Sequence, residues 1–501
     1  MELVPPSAEH CQDGAARGSG EEGPPSSASS AGSLALEAVH EGTSPLWLTT
    51  VAMTLVACGA GVLSLPAAAH AGSLLPTVAL MSLAGIVQMY GSRTVALAVA
   101  LCPSMVLSQS ACTVLYGPDA DAPPSMHDDD FRRARRNNLL FRRSLLMRVT
   151  DVLAYGHMLS LGIVYVRTIV DSIPHVLEEF GVKGDSIWAH RGPYLAFCFA
   201  FITPFVAMRS IKEMTAGTIL GLATIVGFVV AMVVAYAVSG GDGFSSKEER
   251  DGVRYFAIDD GFVLMPQLIV ASFSTSDMVP QLYSELKDRS PDHFFRASDS
   301  SAAILVLLYS TAAVVGYLTF GTAVASEAAD GSVLNNYPAT TLWSVMRIVV
   351  VVHMLFVAPI FLSNTRNGIV SIVYRLRGGE ASGATHPQRL SPAIRLLQAS
   401  GIVAFECVMA YFVPSISATM AVIGSYFGIV FFSGYSGLLG LTIYSGVWQG
   451  TPEAVLTGEP QRYLPSRKGQ LASVGLLIGS VVVLVLTVLS EAGVLDAALH
   501  R

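Results

Sequence analysis

The chain has 501 residues, of which 52% are hydrophobic and only 13% are charged, and its mean hydropathy is +0.54. Because a soluble chain carries roughly a quarter charged residues, this composition excludes an ordinary soluble protein and predicts an all-α polytopic membrane protein. The net charge of −7 identifies no partner, because a bilayer sorts basic residues by side of the membrane rather than by their sum.

The segment over residues 1–43 is rich in Gly, Ser, Pro and Glu and has no apolar core. We therefore predict a disordered cytoplasmic tail without a cleavable signal. The six cysteines show no paired spacing, which favours neither a disulfide framework nor a zinc site, and we expect no cofactor.

Apolar runs of about the 20 residues that cross a bilayer occur eleven times in the chain. We number them spans 1 to 11 and place them at about residues 46–70, 74–101, 147–172, 193–208, 215–239, 260–282, 300–323, 342–368, 393–413, 417–445 and 470–490. Span 4 is the shortest and weakest of these predictions.

The positions of Lys and Arg predict the orientation of the chain. With a cytoplasmic N-terminus, 19 basic residues lie in cytoplasmic segments and 6 on the opposite side. This asymmetry favours an N-in, C-out topology with an odd number of spans. The predicted cytoplasmic loop over 117–148 contains DDDFRRARRNN and FRRSLLMR, which indicate a topology determinant or attraction to anionic lipid headgroups. Nothing in the sequence indicates binding to nucleic acid.

Span 1 is interrupted at its middle by Gly59, Gly61 and Pro66, which weaken helical hydrogen bonding. Within hydrocarbon, a broken helix is tolerated only where protein, water or a ligand meets the freed backbone groups. We therefore predict that a ligand binds at this break. The alternative is that Gly59-Ala60-Gly61 simply permits close packing of helices.

Span 6 carries a second interruption, in which a polar stretch from Ser272 to Asp277 is followed by Pro280. Its hydroxyl groups could instead bond back to their own helix. Spans 1 and 6 begin on opposite sides, so residues 46–239 and 260–445 form two predicted units of opposite topology, each opening with a broken helix. Paired interruptions of this kind indicate a 5+5 inverted repeat and a transporter binding site.

Five segments, in the right order, resemble the amino acid/auxin permease family. They are CGAGVLSLP at 58–66, VPQLYSELKD at 279–288, GYLTFG at 316–321, VAPIFLSNTR at 357–366 and PSISATMAVIGS at 414–425. The resemblance implies eleven helices, a LeuT-type inverted-repeat core and amino acid transport. The predicted domains are thus a tail over 1–43, a transporter core over 44–445, and a loop, span 11 and a short C-terminus over 446–501.

An amino acid zwitterion needs a partner for its carboxylate and another for its ammonium, and two breaks can supply both. The amides of Ala60, Gly61 and Val62 begin the second half of span 1 and suit a carboxylate. The carbonyls predicted to accept from the ammonium are those of Ala57, Cys58, Ser272 and Phe273. Gly59, like Gly61, would let the ligand approach the backbone.

Side-chain selectivity is predicted to come from Phe273, Ser274 and Ser276, with residues of spans 3 and 8. No basic residue lies near either break in the sequence, which favours neutral amino acids over acidic ones. Asp277 would favour a cationic substrate, or it caps a helix or acts in gating.

The coupling ion is a separate question. Two positions that supply sodium ligands in the sodium-coupled branch of the family correspond to Leu55 and Leu355, and both are apolar here. This difference favours a coupling proton or facilitation over sodium. Ionisable residues inside membrane helices are functional candidates, and those here are Asp151, His157, Asp171, His353 and Glu406.

The predicted function is therefore secondary active transport of amino acids across a lipid bilayer. A proton is the favoured coupling ion, and the predicted mode is symport. An amino acid sensor with little net flux, sodium coupling and facilitative transport remain alternatives. No enzyme motif is present. The expected location is the plasma membrane or a vacuolar or endosomal membrane.

Overall fold

The protein is represented by a computed structural model. It describes residues 42, 44–101, 114–115, 130–182, 186–208, 211–240, 244, 246–257, 260–326, 329, 331–376, 390–413, 416–445 and 465–491. Apart from residue 42, the tail predicted over residues 1–43 lies outside the described residues, as does most of the connection between spans 10 and 11.

Regular structure in the described part of the chain is helical, apart from one isolated bridge between Ser44 and Leu286. The α-helices, numbered in chain order, are α1 Leu46–Ala57, α2 Gly61–Gly72, α3 Leu74–Leu101, α4 Asp130–Glu179, α5 Gly192–Val206, α6 Thr215–Val238, α7 Lys247–Asp251, α8 Leu264–Phe273, α9 Val279–Glu285, α10 Pro291–Phe320, α11 Thr341–Leu376, α12 Pro392–Phe412, α13 Ile416–Val422, α14 Tyr435–Tyr444 and α15 Arg467–Glu491.

Each of the eleven predicted spans coincides with one of these helices or with a pair of them. Among the described residues, nine helical runs are long and apolar enough to cross a membrane, and the bent pair α1 and α2 forms a tenth. Span 4 is the 15-residue helix α5, which is shorter than the others. The predicted class, an all-α polytopic membrane protein, is confirmed.

The loop predicted over 117–148 is wrong from Asp130 onward, because α4 begins there and continues into span 3. Asp130 to Tyr155 contains neither glycine nor proline and is rich in the strong helix formers Leu and Arg. With 50 residues, α4 is about 75 Å long. Only its part from Leu145 to Glu179 has the composition of a membrane span.

Spans 1 and 6 run antiparallel, and hydrogen bonds join them at both ends. The amide of Ser44, before α1, donates to the carbonyl of Glu285 at the end of α9 over 2.9 Å, and Lys287 donates back to Ser44 over 2.9 Å. At the other end, the guanidinium of Arg254, which precedes α8, donates to the carbonyl of His70 in α2 over 2.7 Å. The breaks in the two spans are thereby held at the same level.

Span 6 lies at the centre of the helix bundle. Of its apolar window, 83% is buried, compared with 11% for span 11, which therefore lies at the periphery. Span 10 packs closely against span 6 through a π-helical stretch, Ile423–Gly428. A Cβ at Gly424 would lie 1.9 Å from the carbonyl oxygen of Gln267, so only glycine permits this contact.

Candidate functional site

The first half of span 1 ends at Ala57 and the second begins at Gly61, with an angle of 54° between the two halves. The amide of Cys58 still donates to Thr54 over 2.8 Å, but the amide of Gly59 turns back to Ala57 over 2.7 Å and ends the helix. Among the described side chains, none caps the N-terminus of α2. The first amides of α2 are therefore available to an acceptor. Pro66, predicted to belong to the break, lies inside α2.

The break in span 6 follows Phe273, where the chain becomes extended at Ser274. A single 3₁₀ turn over Ser276–Met278 leads into α9. Pro280 occupies the first turn of α9, where its missing N–H costs nothing. The residues between the two halves are buried, so their polar groups must find partners inside the protein.

The two breaks touch each other directly. A Cβ at Gly61 would lie 2.4 Å from the Oγ atom of Ser272 and 2.8 Å from its Cβ atom. A Cβ at Gly59 would lie 2.1 Å from the hydroxyl oxygen of Tyr165 in span 3. The space beside both glycines is thus filled by neighbouring side chains, and glycine is needed at these positions for packing as well as for any approach of a ligand.

Tyr309 of span 7 connects the two breaks. Its buried hydroxyl lies 3.0 Å from the carbonyl oxygen of Ser272 and also contacts the carbonyl oxygen of Ala57. Since a hydroxyl has one hydrogen, Tyr309 shares it between the two breaks. Ala57 also accepts from Gly59, so its two lone pairs are occupied. Of the other carbonyls predicted to accept from the ammonium, that of Cys58 is bonded to His353 and that of Ser272 to Tyr309, so each keeps a second lone pair.

Polar side chains gather around the break in span 6. The Nδ1 atom of His157 in span 3 lies 2.7 Å from Asp277 Oδ2, and both side chains are fully buried. Gln88 of span 2 donates to the hydroxyl of Thr275. Several buried polar atoms here have no protein partner among the described residues: Asp277 Oδ1, Ser276 Oγ, His157 Nε2 and Gln88 Oε1. Such atoms require water or a ligand.

His353 of span 8 contacts the break in span 1. Its Nδ1 atom lies 2.7 Å from the carbonyl oxygen of Gly221 in span 5, and its Nε2 atom is hydrogen-bonded to the carbonyl oxygen of Cys58. The imidazole is fully buried. A histidine therefore joins each break to a helix of the surrounding bundle, His353 at span 1 and His157 at span 6.

Most of the residues predicted for the site are brought together by the fold. Those at or in contact with the two breaks are Ala57, Cys58, Gly59, Ala60, Gly61, Val62, Ser272, Phe273, Ser274, Ser276, Asp277, His157 and His353. Ser274 turns towards span 10, where its hydroxyl donates to the carbonyl of Gly428 over 3.4 Å. The polar side chains of the span 6 break therefore do not all face the span 1 break.

Asp151 and Asp171 are 20 residues apart on α4 and thus about 30 Å from each other, so they do not lie at one place. Asp171 forms ion pairs of 2.7 Å with Arg167 and 2.9 Å with Arg191, near the end of α4, which is the geometry of a structural ion pair. Glu406 of span 9 packs against Gly162 of span 3, and neither of its carboxyl oxygens has a hydrogen-bond partner among the described residues.

Tyr165, Tyr309 and Gln88 were not among the predicted site residues. Each is a polar side chain within an otherwise apolar span, and that is the signal by which the sequence could have indicated them. A tyrosine in a membrane helix also lies at the membrane surface in many proteins, so the sequence alone does not distinguish a buried hydroxyl from an interfacial one.

Leu55 and Leu355 are both buried. The side chain of Leu55 fills the space beside Gly221, where a Cβ would lie 3.0 Å from its Cδ1 atom. Neither residue offers an oxygen ligand to a cation. By contrast, His353, which lies two residues before Leu355 in span 8, has polar contacts. Its two ring nitrogens bond to carbonyl oxygens of span 1 and span 5.

Comparison with known proteins gives one family match. A family model described as "Transmembrane amino acid transporter protein" matches residues 42–457. This range includes both breaks and spans 1 to 10.

Individual relatives are more distant. Amino acid transporter AVT6E of Arabidopsis thaliana is 25% identical over 234 residues, which cover 42% of this chain and 45% of the relative. Vacuolar amino acid transporter 5 of Schizosaccharomyces pombe is 21% identical over 219 residues, covering 43% and 49%. Sodium-coupled neutral amino acid symporter 2 of Danio rerio is 21% identical over 282 residues, covering 52% and 53%. The chain spans about half the length of these curated relatives.

Proposed function

The chain belongs to the family described as transmembrane amino acid transporter protein, and from this premise we propose that it carries amino acids across a membrane by alternating access. The substrate binds between the breaks of spans 1 and 6. The observation that carries this proposal is the direct contact of two buried, interrupted spans, in which Gly61 packs on Ser272. Interrupted membrane helices of this kind form transporter sites because their free backbone groups can bind a zwitterion.

The amides of Ala60, Gly61 and Val62 bind the substrate carboxylate. They begin α2, no described side chain caps them, and the helix dipole favours an anion there. The carbonyls of Ser272 and Phe273, at the end of α8, accept from the substrate ammonium. In the present arrangement, Ser272 itself fills the space beside Gly61. Binding therefore requires the two breaks to move apart by the size of the ligand.

The substrate is a neutral amino acid. The contacts of the two breaks described above are with Tyr165, Tyr309, Gln88 and two histidines, and no lysine or arginine is among them. Asp277 already has His157 as a hydrogen-bond partner within the protein, so its carboxylate needs no cationic substrate. Relatives named for neutral amino acids are consistent with this choice.

Spans 1–5 and 6–10 are two units of opposite orientation in a LeuT-type core. In such a repeat, span 1 corresponds to span 6 and span 3 to span 8. The histidine contacts follow the same correspondence: the span 1 break bonds to span 8 through His353, and the span 6 break bonds to span 3 through His157. Because Ser44, before α1, is joined to the end of α9, and α2 is joined through His70 to Arg254 before α8, each pair can move as a unit.

The coupling ion is a proton. Leu55 and Leu355 supply no oxygen ligand for sodium, whereas the two buried histidines that contact the breaks can bind a proton. Relatives with names that include sodium coupling make sodium the rival ion. The N-terminus faces the cytoplasm, and the membrane is the plasma membrane or, as for the relative named vacuolar, that of an internal compartment.

The test is uptake of a radiolabelled amino acid panel by proteoliposomes that contain the purified protein, with pH and sodium gradients imposed separately. We expect uptake of neutral amino acids that is stimulated by a pH gradient and is unchanged when choline replaces sodium. Stimulation by sodium alone would contradict proton coupling. Specific binding without any flux would favour an amino acid sensor and overturn the transport proposal. Protein-free liposomes serve as the control.

A further inference from the structure

His353 has an unusual set of partners. Both ring nitrogens face backbone carbonyl oxygens, that of Gly221 at 2.7 Å from Nδ1 and that of Cys58 at Nε2. The side chain is fully buried, and these carbonyls are its hydrogen-bond partners among the described residues. The imidazole thus lies between the break of span 1 and the middle of span 5.

The protonation state follows from these partners. A carbonyl oxygen accepts hydrogen bonds but cannot donate them, and a neutral imidazole has only one N–H group. A neutral His353 would therefore place one nitrogen lone pair against a carbonyl lone pair, which is repulsive. An imidazolium has two N–H groups and satisfies both carbonyls. The geometry matches the protonated form of His353.

Among the described residues, no anion is bonded to His353, whose two partners are carbonyl oxygens. The titratable side chains described on span 8 and on the helices packed against it are, on α4, Arg148, Asp151, Tyr155, His157, Tyr165, Arg167, Asp171, His175, Glu178 and Glu179; on α5, Tyr194 and Cys198; on α6, Tyr236; on α12, Arg395, Glu406, Cys407 and Tyr411; and on span 8 itself, Arg347 and Arg366. Cys58 and Tyr309 are added to these at the break. Backbone dipoles therefore favour a charge on His353, while its burial opposes the charge.

We propose that His353 is the binding site of the coupling proton. The inference rests on the proposed transport function and adds the residue and its mode of action. A proton on His353 bonds the Cys58 carbonyl to span 5 and holds the span 1 break in the present shape. Loss of the proton removes one of the two bonds and releases the Cys58 carbonyl, at the end of α1, from span 5.

Coupling to the substrate follows from the position of Cys58. It lies two residues before Ala60, which is the first of the amides proposed to bind the substrate carboxylate. A change at the Cys58 carbonyl therefore alters the position of these amides directly. By linkage, a substrate that binds the protonated form more tightly must raise the proton affinity of the protein by the same factor.

The experiment separates coupling from transport. In proteoliposomes, substrate counterflow requires binding and alternating access but no net movement of protons, whereas accumulation driven by a pH gradient requires the coupling proton. His353→Gln retains an amide donor near the position of Nε2 but cannot bind a proton. We expect counterflow within about threefold of the wild type, and loss of the pH-driven accumulation. Accumulation by His353→Gln at the wild-type level would overturn the proposal.

The matched control is His175→Gln, which makes the same substitution at a histidine near the end of α4 whose side chain is 49% exposed and pairs with Glu178. We expect it to retain pH-driven accumulation. His157→Asn removes the histidine that contacts the other break. If His157→Asn loses accumulation and His353→Gln keeps it, the coupling proton belongs to the other pair. Wild-type protein without any amino acid uptake or counterflow would instead contradict the proposed function itself.

A second measurement does not depend on how the His353 variant folds. Wild-type protein labelled with ¹⁵N-histidine should show, at the acidic pH that drives uptake, a doubly protonated imidazole that exchanges slowly with water, because His353 is fully buried. The signal should persist in His157→Asn. A spectrum without any buried, doubly protonated histidine would overturn the proposal.

Discussion

The two breaks meet at one place but are built from different chemistry. Between Ala57 and Val62 the span 1 break has no hydroxyl, amide or charged side chain, and its polar groups are those of the backbone. Between Ser272 and Asp277 the span 6 break has five polar side chains out of six. The two histidines differ in the same way: His353 bonds to a backbone carbonyl oxygen of the span 1 break, and His157 bonds to a side-chain carboxylate of the span 6 break.

This difference indicates that the two breaks have different roles in binding the substrate. Backbone groups cannot be changed by substitution, so the span 1 break is suited to the carboxylate and ammonium that every amino acid carries. Side chains can be changed, and those of span 6 are suited to selecting among substrates. The histidine partners divide in the same way: His157 at the span 6 break is paired with a carboxylate, whereas His353 at the span 1 break has only carbonyl partners among the described residues.

The largest effect is expected when the buried His157–Asp277 contact of the span 6 break is removed. His157→Ala leaves Asp277 as a buried carboxylate without its partner. Loss of one member of a buried pair costs about 3–5 kcal/mol. We expect a large fall in the midpoint of thermal unfolding of the purified protein in detergent, and loss of uptake.

The matched control for this variant is Arg93→Ala. The Arg93–Asp299 pair is 39% and 31% exposed, so its loss costs about 0–1 kcal/mol. If His157→Ala unfolds no earlier than Arg93→Ala, then the His157–Asp277 contact does not stabilise the break, and the contrast between the two breaks loses its electrostatic part.

A smaller effect is expected from closing the space between the breaks. In Gly61→Ala the new Cβ would lie 2.4 Å from Ser272 Oγ, and overpacking of this kind costs about 1–3 kcal/mol. We expect uptake to fall by about tenfold or more, since 1.4 kcal/mol corresponds to a factor of ten. The control is Gly475→Ala in span 11, where no atom lies within 4 Å of the new Cβ.

A double variant then separates packing from binding. Ser272→Gly removes the side chain that the new Cβ would strike, although Ser272 Cα remains at 3.0 Å. If Gly61 is required only because a larger side chain would not fit, then the double variant recovers uptake. If the substrate needs the same space, the double variant stays inactive, and only this second outcome supports a ligand at the span 1 break.

The general architecture could be predicted from the sequence because the bilayer imposes it. Each of the eleven spans needed only a run of apolar residues, and both breaks were indicated by residues that interrupt such a run. Where the bilayer imposes nothing, prediction was weaker. The helix from Asp130 extends far beyond the apolar segment, and only its local helix propensity could have indicated it.

The site could be predicted only in part, because its contacts depend on which helix faces which. Gly61 and Ser272 were both candidates, yet nothing in the sequence indicates that one packs on the other. His353 and Asp171 were equal candidates for ion coupling, and only the structure distinguishes a histidine between two carbonyls from an aspartate between two arginines. Tyr309 was missed because a single hydroxyl in an apolar span does not reveal its partners.

The smallest effect is expected at the connection between the two breaks. Tyr309→Phe removes the hydroxyl shared between Ala57 and Ser272 but keeps the edge-to-face contact with Phe273, whose ring centroid is 4.9 Å away. Ala57 retains the bond from Gly59, so the loss is that of about one hydrogen bond, or roughly 1 kcal/mol. We expect uptake to fall by about fivefold, whereas Tyr411→Phe, at a position that is 55% exposed, should have no effect.

Because the Tyr309 hydroxyl bonds to both breaks, removing it should weaken the coordination between the breaks rather than either break alone. The decisive measurement is a double-mutant cycle with His353→Gln. Additive effects on counterflow would mean that the breaks move independently, and would contradict a substrate site formed by both.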